Sequence, residues 1–161
     1  MTRWKMFSGF LLFFFAVTGC LTLIPQYYVE HRDFDSLDRK FSTDELVFFR
    51  GGGETVSVVR YSPNSIYTIG VQYVGSSWRF MDGHVNIEVD SVVYRLKDDD
   101  PARSVISGGS VLEQIQVYIS KDILRAMAYA TNVRLHYYLE PVTLLPEHIK
   151  LFYRFYQEYG Q

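Results

Sequence analysis

The sequence predicts an α+β fold that is mostly β, an antiparallel β-sandwich or a strongly curved sheet with two helices near the C-terminus. Seven or more short segments alternate apolar and polar residues with the period of two that is typical of half-buried strands. Gly, Ser, Pro and Asp separate these segments, as expected of antiparallel turns. Two segments after Ser120 instead have the spacing of amphipathic helices.

The clearest strand is predicted at residues 67–73, because Tyr67, Ile69, Val71 and Tyr73 alternate there with polar or small residues. The same alternation predicts further strands along the chain. Those at 46–49 and 104–106 have the weaker pattern. The others are at 56–58, 85–89, 92–96, 115–119 and 133–139.

Three stretches predict changes of strand direction. Gly51-Gly52-Gly53 lacks the Lys-Ser/Thr pair and the helix of a phosphate loop, so we expect a hairpin turn. Asp82-Gly83 favours a type I′ turn, which predicts a hairpin between residues 78–81 and 84–89. The apolar positions then change from odd to even numbers, which predicts a β-bulge near Asp90-Ser91.

Two helices are predicted near the C-terminus. The first spans 121–130, with Ser120 as N-cap and Asp122 facing the positive end of the helix dipole. The second begins at Pro146, a favourable first-turn residue, and runs to about residue 159. Its many aromatic residues indicate that it packs across the sheet or its open edge and closes the core. A docking surface for a partner is the alternative.

The start of the chain has the three-part layout of a secretory signal. Arg3 and Lys5 form a basic region, residues 6–17 form an apolar run, and a small-residue cleavage site precedes Cys20, the single cysteine. Residues 17–20 (Val-Thr-Gly-Cys) resemble the lipobox of bacterial lipoproteins. The resemblance implies cleavage before Cys20 and acylation of its thiol and new amino terminus. A covalent lipid on Cys20 would then anchor the mature protein to a membrane face outside the cytoplasm.

An uncleaved transmembrane anchor is the alternative, because the apolar run continues to Pro25 and reaches about 19 residues, close to the length that spans a bilayer. Either anchor keeps Arg3 and Lys5 in the cytoplasm and places the rest of the chain across the membrane. In enterobacterial lipoproteins an aspartate after the cysteine favours the inner membrane. Leu21 at that position therefore implies the periplasmic face of the outer membrane if the host is Gram-negative.

These features divide the chain into a signal peptide at 1–19, a lipidated N-terminus and tether at 20–42, and a single β-rich domain at 43–161. The tether is assigned from its mixture of charged and aromatic residues without a regular period. After cleavage, 14 basic and 18 acidic residues remain, a net charge of about −4. Nucleic-acid binding usually requires a basic patch, so a nucleic-acid partner is not expected.

No residue pattern indicates catalysis or a metal. The histidines are not spaced to place two ligands on one face, and no nucleophile motif is present. We therefore expect no catalytic residue, no metal ligand and no cofactor other than the lipid on Cys20. Asp98-Asp99-Asp100 lacks the spacing of an EF-hand loop and is expected to be a solvated turn that pairs with Arg103, with calcium binding as the alternative.

Aromatic and arginine side chains are the candidates for contact with a ligand or partner. Tyr and Trp rings stack on sugar rings and peptide side chains, and guanidinium groups bind carboxylates and phosphates. The candidate contact residues are Tyr67, Trp78, Arg79, Arg134 and Tyr138. For Tyr67 and Trp78, burial inside the sandwich is the alternative.

The function expected from these observations is that of a non-enzymatic, lipid-anchored cell-envelope protein that binds or stabilises another envelope component, either a protein or a glycan. An envelope hydrolase with a site that the sequence does not reveal is one alternative. A single-span, membrane-anchored subunit of a secretion or assembly complex is the other.

Overall fold

The structure, a computed structural model, describes residues 27–36 and 39–161, so the predicted signal peptide and Cys20 lie outside the described residues. The described chain forms ten strands, two α-helices and a short 3-10 turn at Ser107–Gly109. The helices are α1 (Lys121–Ala128) and α2 (Pro146–Tyr159). The strands are β1 (Val29–Ser36), β2 (Arg39–Gly51), β3 (Glu54–Ser62), β4 (Ile66–Gly75), β5 (His84–Val89), β6 (Val92–Lys97), β7 (Ala102–Val105), β8 (Val111–Ile119), β9 (Val133–His136) and β10 (Val142–Thr143).

The strands form two antiparallel sheets, which confirms the predicted α+β, mostly β fold. The larger sheet has the order β1-β2-β3-β4-β8-β7 and is strongly curled. The smaller sheet has the order β10-β9-β5-β6. The chain leaves the larger sheet after β4, builds β5 and β6 in the smaller sheet and returns with β7. As a result β8 pairs with β4, although the two strands are distant in sequence.

One hydrophobic core contains residues of both sheets and both helices. Alternation along β3, β4 and β8 directs most of their apolar side chains to the inner face and most of their polar side chains to the outer face. The outer face of these strands is therefore rich in amides and hydroxyls, and the candidate site lies on it. The largest fully buried apolar side chains are Phe48, Phe152, Phe155, Leu46, Ile69, Met81, Ile87, Ile115, Leu124, Met127 and Leu135.

The larger sheet begins at Val29, within the stretch that was expected to be a tether. β1 pairs with β2 over its whole length, and Phe34 lies opposite Phe41. β1 is an edge strand, where charged residues protect the open ladder from pairing with other chains. Because these charged residues interrupt the alternation of apolar and polar residues, β1 does not have the sequence pattern of a strand. The predicted tether at 20–42 therefore cannot extend beyond the start of β1, and the sheet begins closer to the N-terminus than predicted.

The strand predicted at 78–81 is wrong. The backbone N–H groups of Arg79, Phe80 and Met81 bind the carboxylate of Glu113 instead of a neighbouring strand. The segment from β4 to β5 is therefore an irregular loop, and only β5 of the predicted hairpin forms.

The predicted β-bulge near Asp90-Ser91 is also wrong. Val89 pairs directly with Val92, so β5 and β6 are joined by a two-residue turn. Asp90 and Ser91 have φ angles of 45° and 79°, which are the positive values of a type I′ turn. Because Val89 pairs with Val92, the inward-facing residues have odd numbers in β5 and even numbers in β6. The change from odd to even therefore needs no extra residue in either strand.

The triple glycine forms the predicted turn between β2 and β3. Gly51 pairs with Glu54, and Gly52 and Gly53 have φ angles of 58° and 80°. Glycine adopts such angles without strain. A Cβ atom on Gly53 would lie 2.4 Å from the carbonyl oxygen of Val74, so the turn also needs glycine for space.

Both helices lie close to their predicted positions. α1 follows Ser120, whose hydroxyl accepts the backbone N–H of Ile123 at 3.2 Å. α2 begins at Pro146 and closes the core, because Phe152 packs on Phe48 of β2 with ring centroids 4.3 Å apart. Among the helices of the described chain, none combines the length and hydrophobicity needed to cross a bilayer.

Candidate functional site

A groove of about 590 Å³ lies on the outer face of the larger sheet, opposite the core. Its floor is formed by β3, β4 and β8. The β1–β2 hairpin forms one wall, and the segment 98–102, which leads into β7, forms the other. This cavity is named the polar groove. Its lining residues are Arg32, Phe34, Phe41, Thr43, Glu45, Thr55, Ser57, Val59, Tyr61, Gly70, Val71, Gln72, Asp98, Asp100, Ala102, Gln114, Ile115, Gln116 and Tyr118.

The register of the sheet arranges the floor in rows. Gln72 of β4 pairs directly with Thr55 of β3 on one side and with Gln114 of β8 on the other. Directly opposed side chains on one face of a sheet have Cβ atoms about 5 Å apart. Two amides and one hydroxyl therefore lie side by side across three strands.

Gly70 deepens the next row of the floor. It pairs with Ser57 of β3 and with Gln116 of β8. A Cβ atom on Gly70 would lie 3.2 Å from Oγ of Ser57, a tight contact. The missing side chain leaves a depression between the two polar neighbours.

Hydrogen bonds hold the wall at 98–102 against β8. The carboxylate of Asp98 accepts the backbone N–H of Gln116 at 2.7 Å and that of Asp100 at 3.1 Å. Asp99 accepts a hydrogen bond from Nζ of Lys97 at 2.7 Å. The three aspartates therefore form a turn beside β8. The side chain of Asp98 accepts a backbone N–H of β8 just beyond the point where the pairing of β7 with β8 ends.

An aromatic pair stands on the opposite wall. Phe34 and Phe41 are cross-strand neighbours on β1 and β2, and their rings stack with centroids 4.6 Å apart and an interplanar angle of 10°. They are 41% and 38% exposed. A stacked pair of partly exposed aromatic rings therefore borders the polar floor.

The structure brings two predicted contact residues together, but outside the polar groove. The guanidinium of Arg79 lies 5.1 Å from the ring centroid of Tyr138 and 4.0 Å from that of Tyr73. Arg79 also forms an ion pair with Glu54, whose Oε2 accepts the hydroxyl of Tyr137 at 2.6 Å. Burial raises the pKa of Tyr137 to about 12. These contacts join β3 to the loop before β5 and to the segment after β9.

The other three predicted contact residues are separated from one another. Tyr67 is 3% exposed, and its hydroxyl donates to the carbonyl oxygen of Tyr159 at 2.6 Å. Trp78 is half-buried and packs against the core. Arg134 lies on β9 with Nη1 3.9 Å from Oε2 of Glu88. Tyr67 and Trp78 therefore follow the interior alternative.

Comparisons of the chain with protein-family models, with curated proteins and with solved structures gave no match.

Prediction by residue type missed the polar groove, although the sequence carried a signal for it. Outward positions on β3, β4 and β8 hold amides, hydroxyls and a glycine, whereas a solvated face typically holds Lys and Glu.

A buried carboxylate organises the loop before β5. Glu113 is 1% exposed and accepts the backbone N–H groups of Phe80 at 3.1 Å and Met81 at 2.9 Å, together with that of Arg79. Nε of Arg103 lies 3.4 Å from Oε2 of Glu113, so this arginine pairs here and not with the aspartates at 98–100. Burial by itself raises the pKa of Glu113, but the backbone donors and Arg103 together lower it.

A second charged cluster ties β1 to β2 and β3. Nδ1 of His31 lies 2.8 Å from Oδ1 of buried Asp44, and Oδ2 of Asp44 accepts Nη1 of Arg60 at 2.9 Å. Nε2 of His31 lies 3.2 Å from Asp33. The hydrogen bond to Asp44, with a smaller contribution from Asp33, raises the pKa of His31. Within residues 27–36 and 39–161, no three His, Cys, Asp or Glu side chains are arranged to hold a metal ion.

Proposed function

We propose that this chain is a lipid-anchored cell-envelope protein whose β-rich domain is a non-enzymatic binding module for another envelope component. The polar groove is the observation that carries the binding part of this proposal. Ligand sites are typically preformed clefts of about 300–1,000 Å³ with a few convergent polar groups. The groove has a volume of about 590 Å³ and lies on a face that the core does not use.

The proposed anchor is supported by the lipobox-like residues 17–20, and the contacts of Tyr27 indicate where an anchor would lie relative to α2. The hydroxyl of Tyr27 donates to Glu158 at 2.7 Å, and the guanidinium of Arg154 lies 3.8 Å from the Tyr27 ring centroid. The segment from Cys20 to Tyr27 spans at most about 25 Å when fully extended. A lipid on Cys20 would therefore hold the end of α2 close to the membrane surface.

The roles of the strongest titratable clusters support binding over catalysis. The ion pair of Glu54 and Arg79 joins β3 to the loop before β5. Glu113 accepts the backbone N–H groups of that loop, and Asp44 binds His31 of the edge strand β1. Each of these groups is engaged by protein partners. The floor of the groove instead presents neutral amides and hydroxyls, which bind but do not transfer protons near neutral pH.

The anchor is tested by labelling with a radioactive or alkyne-bearing fatty acid. Cys20→Ala should abolish labelling and leave an unprocessed precursor, whereas Ala16→Ser, a substitution inside the apolar run, should leave both unchanged. Labelling of the Cys20→Ala protein would contradict the proposed anchor.

The binding module is tested by photo-crosslinking in intact cells. A photoreactive residue at Gln114 should form adducts with an envelope component, because this position lies on the groove floor. The control position is Leu139, which is 80% exposed and lies outside the groove. Adducts at neither position, or the same adducts at both, would contradict binding in the groove.

A further inference from the structure

The floor of the polar groove has the hydrogen-bonding properties of an uncharged surface. Gln72 and Gln114 each offer an amide oxygen that accepts and an NH₂ group that donates, and the hydroxyls of Thr55 and Ser57 can do both. A sugar hydroxyl also donates and accepts. A row of such groups therefore matches a row of sugar hydroxyls without any formal charge on either side.

The aromatic pair supplies the second element of sugar recognition. The rings of Phe34 and Phe41 stack face to face with centroids 4.6 Å apart, so each ring keeps one face that the other does not cover. The apolar faces of sugar rings pack on aromatic rings, and their hydroxyl edges require polar partners. In the groove, the aromatic wall and the polar floor are adjacent.

The charges at the rim disfavour an anionic ligand. Among the described residues that line the groove, Glu45, Asp98 and Asp100 are acidic and Arg32 is the single cation. Nε and Nη2 of Arg32 are both engaged by the carboxylate of Glu30, each at 2.7 Å. A polyanion would meet net negative charge, so an anionic ligand is disfavoured.

A peptide strand fits the floor poorly. A peptide that extends a sheet needs a free edge with unpaired backbone groups. β3, β4 and β8 lie inside the sheet and are paired on both sides. A folded protein would normally seek an apolar interface centre, whereas the rows of this floor hold the amides of Gln72 and Gln114 and the hydroxyls of Thr55 and Ser57.

We propose that the polar groove binds an uncharged glycan strand, with sugar rings packed on Phe34 and Phe41 and hydroxyls hydrogen-bonded to Gln72 and Gln114. This inference rests on the proposed binding function and specifies its ligand class.

The first test is an oligosaccharide array probed with the full-length lipidated protein in a detergent without a sugar headgroup. The neutral probes are oligomers of glucose and of N-acetylglucosamine in several linkages, and the anionic probes are oligomers of galacturonic acid. The protein should bind at least one neutral series and should bind the galacturonic acid series more weakly. Binding to no neutral probe, or preference for the anionic series, would overturn the proposal.

The second test places the ligand in the groove. The double variant Gln72→Ala/Gln114→Ala and the single variant Phe34→Ala should each weaken binding of the best neutral probe roughly tenfold or more. Phe80→Ala is the matched control, because Phe80 is 70% exposed and lies outside the groove. Melting curves confirm that the variants are folded. Unchanged binding by both groove variants would overturn the proposal.

The outcomes separate this inference from the proposed function. Photo-crosslinks from Gln114 to an envelope protein, with no binding of neutral oligosaccharides, would overturn the glycan and leave the binding module in place. Absence of both crosslinks and oligosaccharide binding would overturn the two together. Crosslinks to envelope glycan together with array binding support both.

Discussion

The carboxylate of Glu113 accepts a hydrogen bond from the backbone N–H of Met81 at 2.9 Å, across 32 positions of sequence. The N–H groups of Arg79 and Phe80 bind the same carboxylate, and Arg103 donates to it from the edge strand β7. Glu113 therefore stabilises the loop before β5 in the way that a paired strand would. Its removal would leave several donors without partners inside the protein.

We expect Glu113→Gln to lower the free energy of unfolding by about 2–4 kcal/mol, because a neutral amide weakens charge-assisted hydrogen bonds and turns an NH₂ group toward existing donors. Denaturation in urea measures the change. Gln114→Ala, at the next and exposed position, is the control and should change stability by less than about 0.5 kcal/mol. Equal midpoints for wild type and Glu113→Gln would refute the role of this carboxylate.

Glu113 also predicts a dependence of stability on pH. Its pKa is lowered in the folded protein and returns to about 4.3 on unfolding. A carboxyl group with a lowered folded pKa contributes stability above the unfolded pKa and loses it as the pH falls through the folded pKa. The free energy of unfolding should therefore fall below about pH 4.3, and it should fall less in Glu113→Gln. Parallel curves for the two proteins would exclude Glu113 as the cause.

The fold could be predicted where the signals are local. Ser120 is the N-cap of α1 and Pro146 is the first residue of α2, so each residue that predicts a helix lies within one turn of its start. The loop before β5 could not be predicted, because the carboxylate that holds it belongs to β8. The edge strand β1 was missed for a related reason. Its charged residues are typical of a strand at the edge of a sheet, but the sequence alone does not show that β1 lies at the edge.

The candidate site was harder to predict than the fold. Gln72 and Gln114 belong to strands that are far apart in sequence, and the smaller sheet is built between them. Alternation placed both on outward faces, but only the strand order makes them neighbours. Tyr67 was selected by residue type, yet it lies on the inner face of β4 at 3% exposure.

We expect Phe152→Ala to lower the free energy of unfolding by about 3–5 kcal/mol, because the ring of Phe152 is fully buried against Phe48 and its removal leaves a cavity. Lys150→Ala, on the exposed face of the same helix, is the control and should have little effect. Thermal and chemical denaturation measure both variants. A Phe152→Ala protein as stable as the control would show that α2 does not close the core.

The turn between β5 and β6 offers a stabilising substitution. Ser91 has a φ of 79°, which costs a residue with a side chain more than it costs glycine. Ser91→Gly should therefore raise the free energy of unfolding by roughly 0.5–1 kcal/mol. Asp90→Gly should lower it, because the Asp90 carboxylate accepts the N–H of Asn132 at 2.8 Å. A melting temperature that moves in the same direction in both variants would contradict this description of the turn.

His31 should titrate above its ordinary pKa of about 6.5, because it is hydrogen-bonded to buried Asp44. A histidine with a raised folded pKa contributes stability below its unfolded pKa, and that stability is lost as the pH rises through the folded pKa. The attachment of β1 should therefore weaken above neutral pH, visible as faster amide exchange in β1. NMR titration of the imidazole measures the pKa directly. Asp44→Asn should return the pKa toward its ordinary value, and Asp33→Asn, which removes the more exposed and weaker contact, should lower it less. The reverse order would show that Asp33 is the principal partner of His31 and that the histidine does not tie β1 to the sheet.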